Sequence, residues 1–95
     1  MSETRYRKYL VTVTIENKAY IDDPEGRTIH KDLLLKNSYN EIISVRTAKM
    51  LKITLQAKSC GDAENLIDQL CKELMIFNPV VSNCRISCEG YIEEE

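Results

Sequence analysis

Residues 51–74, LKITLQAKSCGDAENLIDQLCKEL, contain the two periodicities that decide the fold. From Leu51 to Ala57 apolar and polar residues alternate, which is the pattern of a strand with one buried face. Beyond Ser59, which resembles a helix N-cap with Asp62 three residues on, apolar residues recur every three or four positions, as on one face of a helix. These are Ala63, Leu66, Ile67, Leu70 and Leu74. The stretch predicts a strand followed directly by an amphipathic helix.

Two more strands are predicted upstream. Residues 9–15 alternate between apolar and polar side chains and are rich in β-branched residues. Residues 43–46 show the same alternation over a shorter stretch. The polar join at residues 47–49 is too short for a crossover connection, so residues 43–46 and 51–57 are expected to form an antiparallel hairpin.

A first helix is predicted to begin at Asp23-Pro24. The Asp23 carboxylate can cap free amides, and Pro24 suits the first helical position, where no N–H is required. Gly26 is unusual in a first turn, because glycine costs up to about 1 kcal/mol there relative to alanine. That cost indicates a close approach by another backbone or a ligand, or simple tolerance near a fraying end. Asn37 is the expected C-terminal cap.

The remaining elements complete an α+β fold. Asn78-Pro79 ends the second helical region, because proline disfavours the α conformation in the preceding residue. A last strand follows over residues 84–92. The order β-α-β-β-α-β predicts a ferredoxin-like domain, with a four-stranded antiparallel sheet and two helices on one face.

Composition limits the functional classes. Ninety-five residues predict one domain, 1–95, with a flexible acidic tail at 93–95. The net charge of −2 provides no basic surface for binding nucleic acid, although charged residues are unevenly distributed along the chain. Residues 1–52 hold ten bases and seven acids, and residues 53–95 hold three bases and eight acids. No stretch approaches the roughly 18 apolar residues that span a membrane, and the N-terminus lacks a signal peptide, so a cytoplasmic protein is expected.

No catalytic, cofactor-binding or metal site is predicted. The four cysteines form no C-x-x-C pair and are expected to be reduced and buried. The single histidine, His30, has no evident catalytic partner, and the three glycines are too far apart for a phosphate-binding loop. A small hydrolase of this fold would need an Arg/Asn anion site that the sequence does not assemble.

Three polar segments are not explained by the fold alone. The first polar segment is residues 23–26, the second is residues 45–49 and the third is residues 77–81. Taken singly, they read as a cap, a turn and a helix stop.

Together, in this order and spacing, the segments resemble the PurS family. That family shows D-P-x-G at the first helix, V-R-x-G-K at the hairpin and C-x-x-L…N-P-V after the second helix. The matching residues are Asp23, Pro24, Gly26, Val45, Arg46, Lys49, Cys71, Leu74, Asn78, Pro79 and Val80. Ala48 stands where the family usually has glycine, and residues 36–39 suggest a one-residue insertion.

The resemblance implies a non-catalytic subunit of phosphoribosylformylglycinamidine (FGAM) synthase, an ATP-dependent glutamine-amidotransferase ligase of purine synthesis. A synthetase subunit (PurL) would bind ATP and Mg²⁺ and perform the ligation. A glutaminase subunit (PurQ) would release ammonia, and the PurS subunit would bridge the two while binding no cofactor itself.

The partner interface is expected to include Arg46 and Lys49, projecting as charged contacts, with neighbouring edges formed by Asp23, Pro24, Gly26, Asn78 and Pro79. The resemblance also implies a homodimer or tetramer, and exposed sheet edges favour self-association. The alternative is a ferredoxin-like regulatory domain that senses a small metabolite as a dimer.

Overall fold

The computed structural model describes residues 6–92. Its strands are β1 (Arg7–Asn17), β2 (Ala48–Ala57) and β3 (Ser82–Tyr91). The first helix begins as α1 (Pro24–Thr28) and continues as a π-helix (Ile29–Leu34) and a 3-10 turn (Leu35–Asn37). The second helix is α2 (Cys60–Glu73). The predicted acidic tail at 93–95 lies outside the described residues.

β1 is the central strand and pairs antiparallel with both neighbours, in the order β2-β1-β3. Val11 lies opposite Ile53 on one side and Cys88 on the other, so the apolar sides of the three strands share one face. The register with β3 shifts by one residue between Tyr9 and Val11. The extra residue of β3 lies beside Gly90, whose φ of +108° is accessible to glycine without strain.

α2 covers this apolar face and lies mainly over β3. The Ser59 hydroxyl accepts a hydrogen bond from the Asp62 amide at 3.1 Å, which confirms the predicted N-cap. The largest fully buried side chains are Ile67 and Cys71 of α2 with Val11 and Val13 of β1. The core is therefore small and depends on the contact between one helix and the central strand.

The predicted fourth strand at residues 43–46 is absent, and the sheet of the described chain has three strands. Residues 42–47 are irregular, and Ile43 is 89% exposed. Four alternating residues are a weak strand signal. Here the Val45 backbone lies against Gly26, and the Thr47 amide donates a hydrogen bond to the Asp23 carboxylate at the start of the first helix. The expected turn at residues 47–49 is likewise absent, because β2 already begins at Ala48.

The first helix does not lie on the sheet, in contrast to the ferredoxin-like prediction. No Cα of residues 24–37 comes within 8 Å of a Cα in a strand or in α2. We call residues 24–45, the helix and its returning segment, the arm. The predicted cap Asn37 is the last helical residue, and Ser38 adopts the left-handed conformation that ends the helix (φ +73°). The arm leaves the described chain extended, at 64 Å along its longest axis.

Two of the four cysteines, all predicted to be reduced, form a disulfide. Cys60 at the start of α2 is bonded to Cys88 of β3, with the Cα atoms 5.7 Å apart. Cys71 and Cys84 are free. A separation of 28 residues gives no sequence signal for this pairing. The prediction of four reduced cysteines is therefore wrong for Cys60 and Cys88.

Ile67→Ala is expected to lower the free energy of unfolding by about 2–5 kcal/mol, because it leaves a cavity beneath α2. The matched control is Ile43→Ala, which removes the same atoms from an exposed position and should change stability by less than about 0.5 kcal/mol. Urea denaturation followed by circular dichroism measures both. Equal losses in the two variants would contradict this placement of the core.

Candidate functional site

The three polar segments meet around the end of β1. The Arg46 guanidinium of the second segment donates hydrogen bonds to the backbone carbonyls of Lys18 at 3.1 Å and Asn17 at 3.4 Å. The Lys18 amide donates to the carbonyl of Val81 in the third segment at 2.9 Å. The Ser82 hydroxyl donates to the Asn17 side-chain oxygen at 3.1 Å. The second and third polar segments are therefore both hydrogen-bonded to Asn17 and Lys18 at the end of β1.

Asp23 joins the first segment to the second. Its carboxylate is buried, at 8% exposure, and accepts hydrogen bonds from the backbone amides of Thr47 and Gly26. The Thr47 hydroxyl also donates to it at 2.9 Å. These donors, the Thr47 amide foremost and then the Gly26 amide, lower the pKa of Asp23 below its ordinary value of 3.8. The predicted cap is confirmed, and the same carboxylate also holds residue 47.

Gly26 is in contact with the backbone of Val45, which resolves the alternatives left by the sequence. A Cβ at this position would overlap the Val45 carbonyl oxygen. Only glycine allows the helix start and the second segment to approach this closely. We call the contacts among Asp23, Gly26, Val45 and Thr47 the latch.

The third segment forms a turn beside the other two. The side-chain oxygen of Asn78 accepts a hydrogen bond from the Val80 amide at 3.0 Å, and the backbone carbonyl of Asn78 accepts one from the Ser82 amide at 2.8 Å. The Tyr20 hydroxyl donates to the Val80 carbonyl at 2.6 Å. Asn78 and Pro79 are exposed, and α2 has already ended at Glu73. The segment is thus a surface turn and not the stop signal itself.

A cleft of about 670 Å³ opens where the segments meet. Its lining comprises Ile15, Asn17, Glu25, Thr47, Ala48, Lys49, Leu51, Ile76, Phe77 and Ser82. The lining contains one carboxylate and one ammonium group, but no histidine or cysteine to pair with its hydroxyls. Of the two predicted charged contacts, Lys49 lies in this cleft, whereas Arg46 is bonded to β1. A half-apolar cleft of this composition suits contact with another protein better than catalysis.

Sequence reasoning missed Asn17, Lys18, Thr47 and Ser82. Each acts through a backbone group or a short polar side chain, and their partners lie up to 65 residues away. The sequence contained one indication for Thr47, namely its position between Arg46 and Lys49 in the second polar segment.

Other reactive groups do not form a site. Burial raises the pKa of the Cys71 and Cys84 thiols, which favours their unreactive protonated form. The His30 ring donates through Nε2 to the Ile42 carbonyl at 2.6 Å and so holds the returning segment against the helix. Within residues 6–92 no three His, Cys, Asp or Glu residues are grouped as metal ligands. The described helices include none that is long and apolar enough to span a membrane.

These features define a small α+β protein in which three polar segments meet beside a surface cleft. The sequence model of PurS, described as phosphoribosylformylglycinamidine (FGAM) synthase, matches residues 10–90. The chain therefore belongs to the PurS family.

Named relatives agree with this assignment. The chain is 32% identical to the PurS subunit of FGAM synthase from Methanocaldococcus jannaschii, over 85% of this chain and 95% of that protein. It is 34% identical to the corresponding subunit from Archaeoglobus fulgidus, over 81% and 94%. These relatives are a small subunit of the synthase, and nothing in the comparisons supports the alternative of a metabolite-sensing domain.

The fold is likewise similar to solved PurS structures. The crystal structure of PurS from Methanocaldococcus jannaschii aligns with a TM-score of 0.74 at 33% identity, covering 90% of this chain and 99% of that one. The PurS subunit from Thermotoga maritima aligns with a TM-score of 0.76 over 88% and 94%, and at 20% identity this likeness concerns the fold alone.

Asp23→Asn is expected to destabilise the protein at pH 7, because the amide lacks the charge that Thr47 and Gly26 stabilise. The folded pKa of Asp23 is lowered, so its contribution is complete above the ordinary value of 3.8 and is lost as the pH falls through the folded pKa. The gap in thermal midpoint between wild type and variant should therefore narrow below pH 3.8.

Asp22→Asn is the matched control, because this exposed carboxylate bonds only to the Arg27 side chain among the contacts described. Its thermal midpoint should stay near that of the wild type at both pH values. If the difference in thermal midpoint between wild type and Asp23→Asn did not change with pH, the charge of Asp23 would not contribute to stability as described.

Gly26→Ala should destabilise the protein although alanine favours helix by about 1 kcal/mol. The added Cβ must displace the Val45 carbonyl and so open the latch. Gly61→Ala in α2 is the control, because its Cβ would meet nothing closer than the Ser59 hydroxyl at 3.8 Å. Urea denaturation should show a loss for Gly26→Ala and no loss for Gly61→Ala; a neutral Gly26→Ala would refute the close approach.

Proposed function

We propose that this chain is the PurS subunit of FGAM synthase in purine biosynthesis, and that it acts by holding the other subunits together without catalysing a step. The single observation that carries the proposal is the family match over residues 10–90. The composition of the cleft supports it, because its lining side chains offer contact groups and no nucleophile paired with a base.

The proposed partners are a synthetase subunit (PurL) and a glutaminase subunit (PurQ), acting in the cytoplasm. Glutamine hydrolysis supplies ammonia, and the synthetase uses ATP and Mg²⁺ to convert formylglycinamide ribonucleotide to FGAM. This chain binds no cofactor in the proposal. Its task is to keep the two catalytic subunits in one assembly.

The cleft is the proposed contact surface for one of these partners. Lys49 is exposed at its edge, and Glu25 supplies an opposite charge on the arm side. Charges at the rim of an interface guide association and fix register. Asp23 and Gly26 act indirectly, by fixing the direction of the arm, while Pro24, Asn78 and Pro79 offer exposed surface near the cleft.

Self-association, as a homodimer or tetramer, is the second part of the proposal. β2 and β3 are both edge strands of the described sheet. Several large apolar side chains are also more than half exposed, among them Leu33, Tyr39 and Ile43 of the arm. Exposed apolar surface of this kind marks contact sites more often than free surface.

Reconstitution tests the proposal directly. Purified synthetase and glutaminase subunits from the same source are mixed with ATP, Mg²⁺, formylglycinamide ribonucleotide and glutamine, and FGAM is measured with and without this chain. Strong dependence on the chain is expected. Equal product formation in its absence, with both other subunits competent, would overturn the proposal.

Lys49→Glu tests the proposed surface in the same assay. Reversing a rim charge should raise the concentration of this chain needed for half-maximal activity about tenfold. Lys52→Glu is the matched control, because Lys52 lies on the same strand but on the opposite face of the sheet. Equal effects of the two substitutions would show that the cleft is not the contact surface.

A further inference from the structure

The four cysteines lie on α2 and β3, and they form two pairs at opposite ends of the helix. At the start of α2, Cys60 is bonded to Cys88. Toward the end of α2, the free thiols of Cys71 and Cys84 are close enough for a hydrogen bond between their side chains. The helix is therefore held to β3 by a covalent bond at one end and by packed, reduced thiols at the other.

The two pairs differ in their access to a reductant. Cys60 and Cys88 are both partly exposed, whereas Cys71 of the second pair is only 2% exposed. The environment of the second pair also favours protonated thiols, which are poor attacking groups in disulfide exchange. A reductant in solution can therefore reach the Cys60–Cys88 bond, and the neighbouring thiols do not compete for it.

The position of Cys60 favours reduction of this bond. Cys60 is the first residue of α2, directly after the cap Ser59. The free backbone amides and the dipole at a helix N-terminus stabilise negative charge, and so they stabilise the thiolate that reduction leaves on Cys60. Lys58 and Asp62, each two residues away, oppose one another in charge. A stabilised thiolate leaves a disulfide more readily, so this bond is suited to reversible exchange.

Only weak polar contacts hold the start of α2 besides the disulfide, among those of the described residues. The Glu64 carboxylate accepts a hydrogen bond from the Cys88 amide at 2.8 Å, and the Tyr9 hydroxyl donates one to the Lys58 carbonyl at 3.4 Å. Both bonds are partly open to water, so each contributes little to stability. The large buried side chain of the helix, Ile67, lies beyond its first two turns. Breaking the disulfide would therefore free the first two turns while the rest of α2 stays packed.

We propose that the Cys60–Cys88 disulfide is a reversible redox switch, which holds the first two turns of α2 on β3 when it is oxidised and frees them when a thiol reductant opens it. A thiolate of the reductant attacks the Cys88 sulfur, the S–S bond breaks, and its electron pair leaves with the Cys60 sulfur as a thiolate. A second reductant thiol then displaces Cys88 from the mixed disulfide. The two reductant sulfurs end joined to each other, and two electrons and two protons have passed to the cysteines.

The switch lies away from the cleft. Cys88 is opposite Val11 of β1, whereas Ser82, in the cleft lining, is opposite Asn17. The six residues between these positions on β1 span roughly 20 Å. Both redox forms are therefore expected to present the same cleft. The inference goes beyond the proposed function and does not rest on it.

Equilibration in glutathione buffers tests whether the bond is reversible. The full chain is incubated at increasing ratios of reduced to oxidised glutathione, quenched with acid, denatured and alkylated, and mass spectrometry counts the modified thiols. The oxidised form should show two thiols, those of Cys71 and Cys84, and the reduced form should show all four.

The count should rise from two to four within the range of glutathione ratios found in reducing compartments, and it should return to two on re-oxidation. A structural disulfide would resist reduction over this range. A count that stays the same at every ratio would overturn the switch.

Hydrogen exchange of backbone amides, followed by NMR, tests which part of the chain opens. In the reduced wild type, the amides of residues 63–66 and of Cys88 should exchange at least about tenfold faster than in the oxidised wild type, while the amides of β2 keep their rates. Cys60→Ser should match the reduced wild type in either buffer. Cys84→Ser is the matched control, because it removes a thiol from the other pair and should respond to reduction as the wild type does.

Circular dichroism of the same samples shows whether each form is folded. Equal exchange at residues 63–66 in the reduced and oxidised wild type would overturn the proposal, because the bond would then hold nothing that the other contacts do not. Loss of the whole fold on reduction would also overturn it, because the disulfide would then be a staple of the entire domain.

Discussion

The buried carboxylate of Asp23 is the interaction on which the rest of the structure depends. It caps the first helix through the Gly26 amide and holds the returning chain through the amide and hydroxyl of Thr47. A neutral or longer side chain could not satisfy these three donors in so small a space. Because the two ends of the arm are fastened at one point, the helix projects away from the sheet. The cleft beside Lys49 depends on that direction, because Glu25 of the arm forms part of its lining.

A thin core makes this arrangement physically reasonable. One helix on three strands buries few large side chains, and a 95-residue chain has little apolar surface to spare. The same features suit a subunit whose role is to hold other proteins: exposed apolar surface on the arm, charged groups at the cleft, and polar segments fixed by hydrogen bonds. Catalytic groups would add nothing to that role.

Local pattern predicted much of the fold. The alternation in β1 and in residues 51–57, the second helix, and the caps at Asp23 and Ser59 rest on short-range signals and were confirmed. The predicted apolar face of α2 was right for Ala63 and Ile67, whereas Leu66 and Leu74 are exposed, at 48% and 68%. The fourth strand was not found, because the predicted strand at residues 43–46 is held at the first helix instead: Val45 lies against Gly26, and Thr47, the next residue after the segment, is hydrogen-bonded to Asp23. The position of the arm was missed for a related reason, since the Gly26–Val45 contact joins residues 19 apart. The three polar segments were recognised as a group, but the partners that join them, Thr47 and Lys18, act through backbone groups that no spacing reveals.

The most direct test of the account is whether the Asp23 carboxylate holds the backbone amide of Thr47 and so fastens the arm. Hydrogen exchange of individual backbone amides, followed by NMR, would be compared between the wild type and Asp23→Ala. The account predicts that the amides of Thr47 and Gly26 are protected in the wild type and exchange much faster in Asp23→Ala, while the amides of β1 keep their protection. Equal exchange of the Thr47 amide in the two proteins would contradict the account, because the arm would then not be fastened through Asp23.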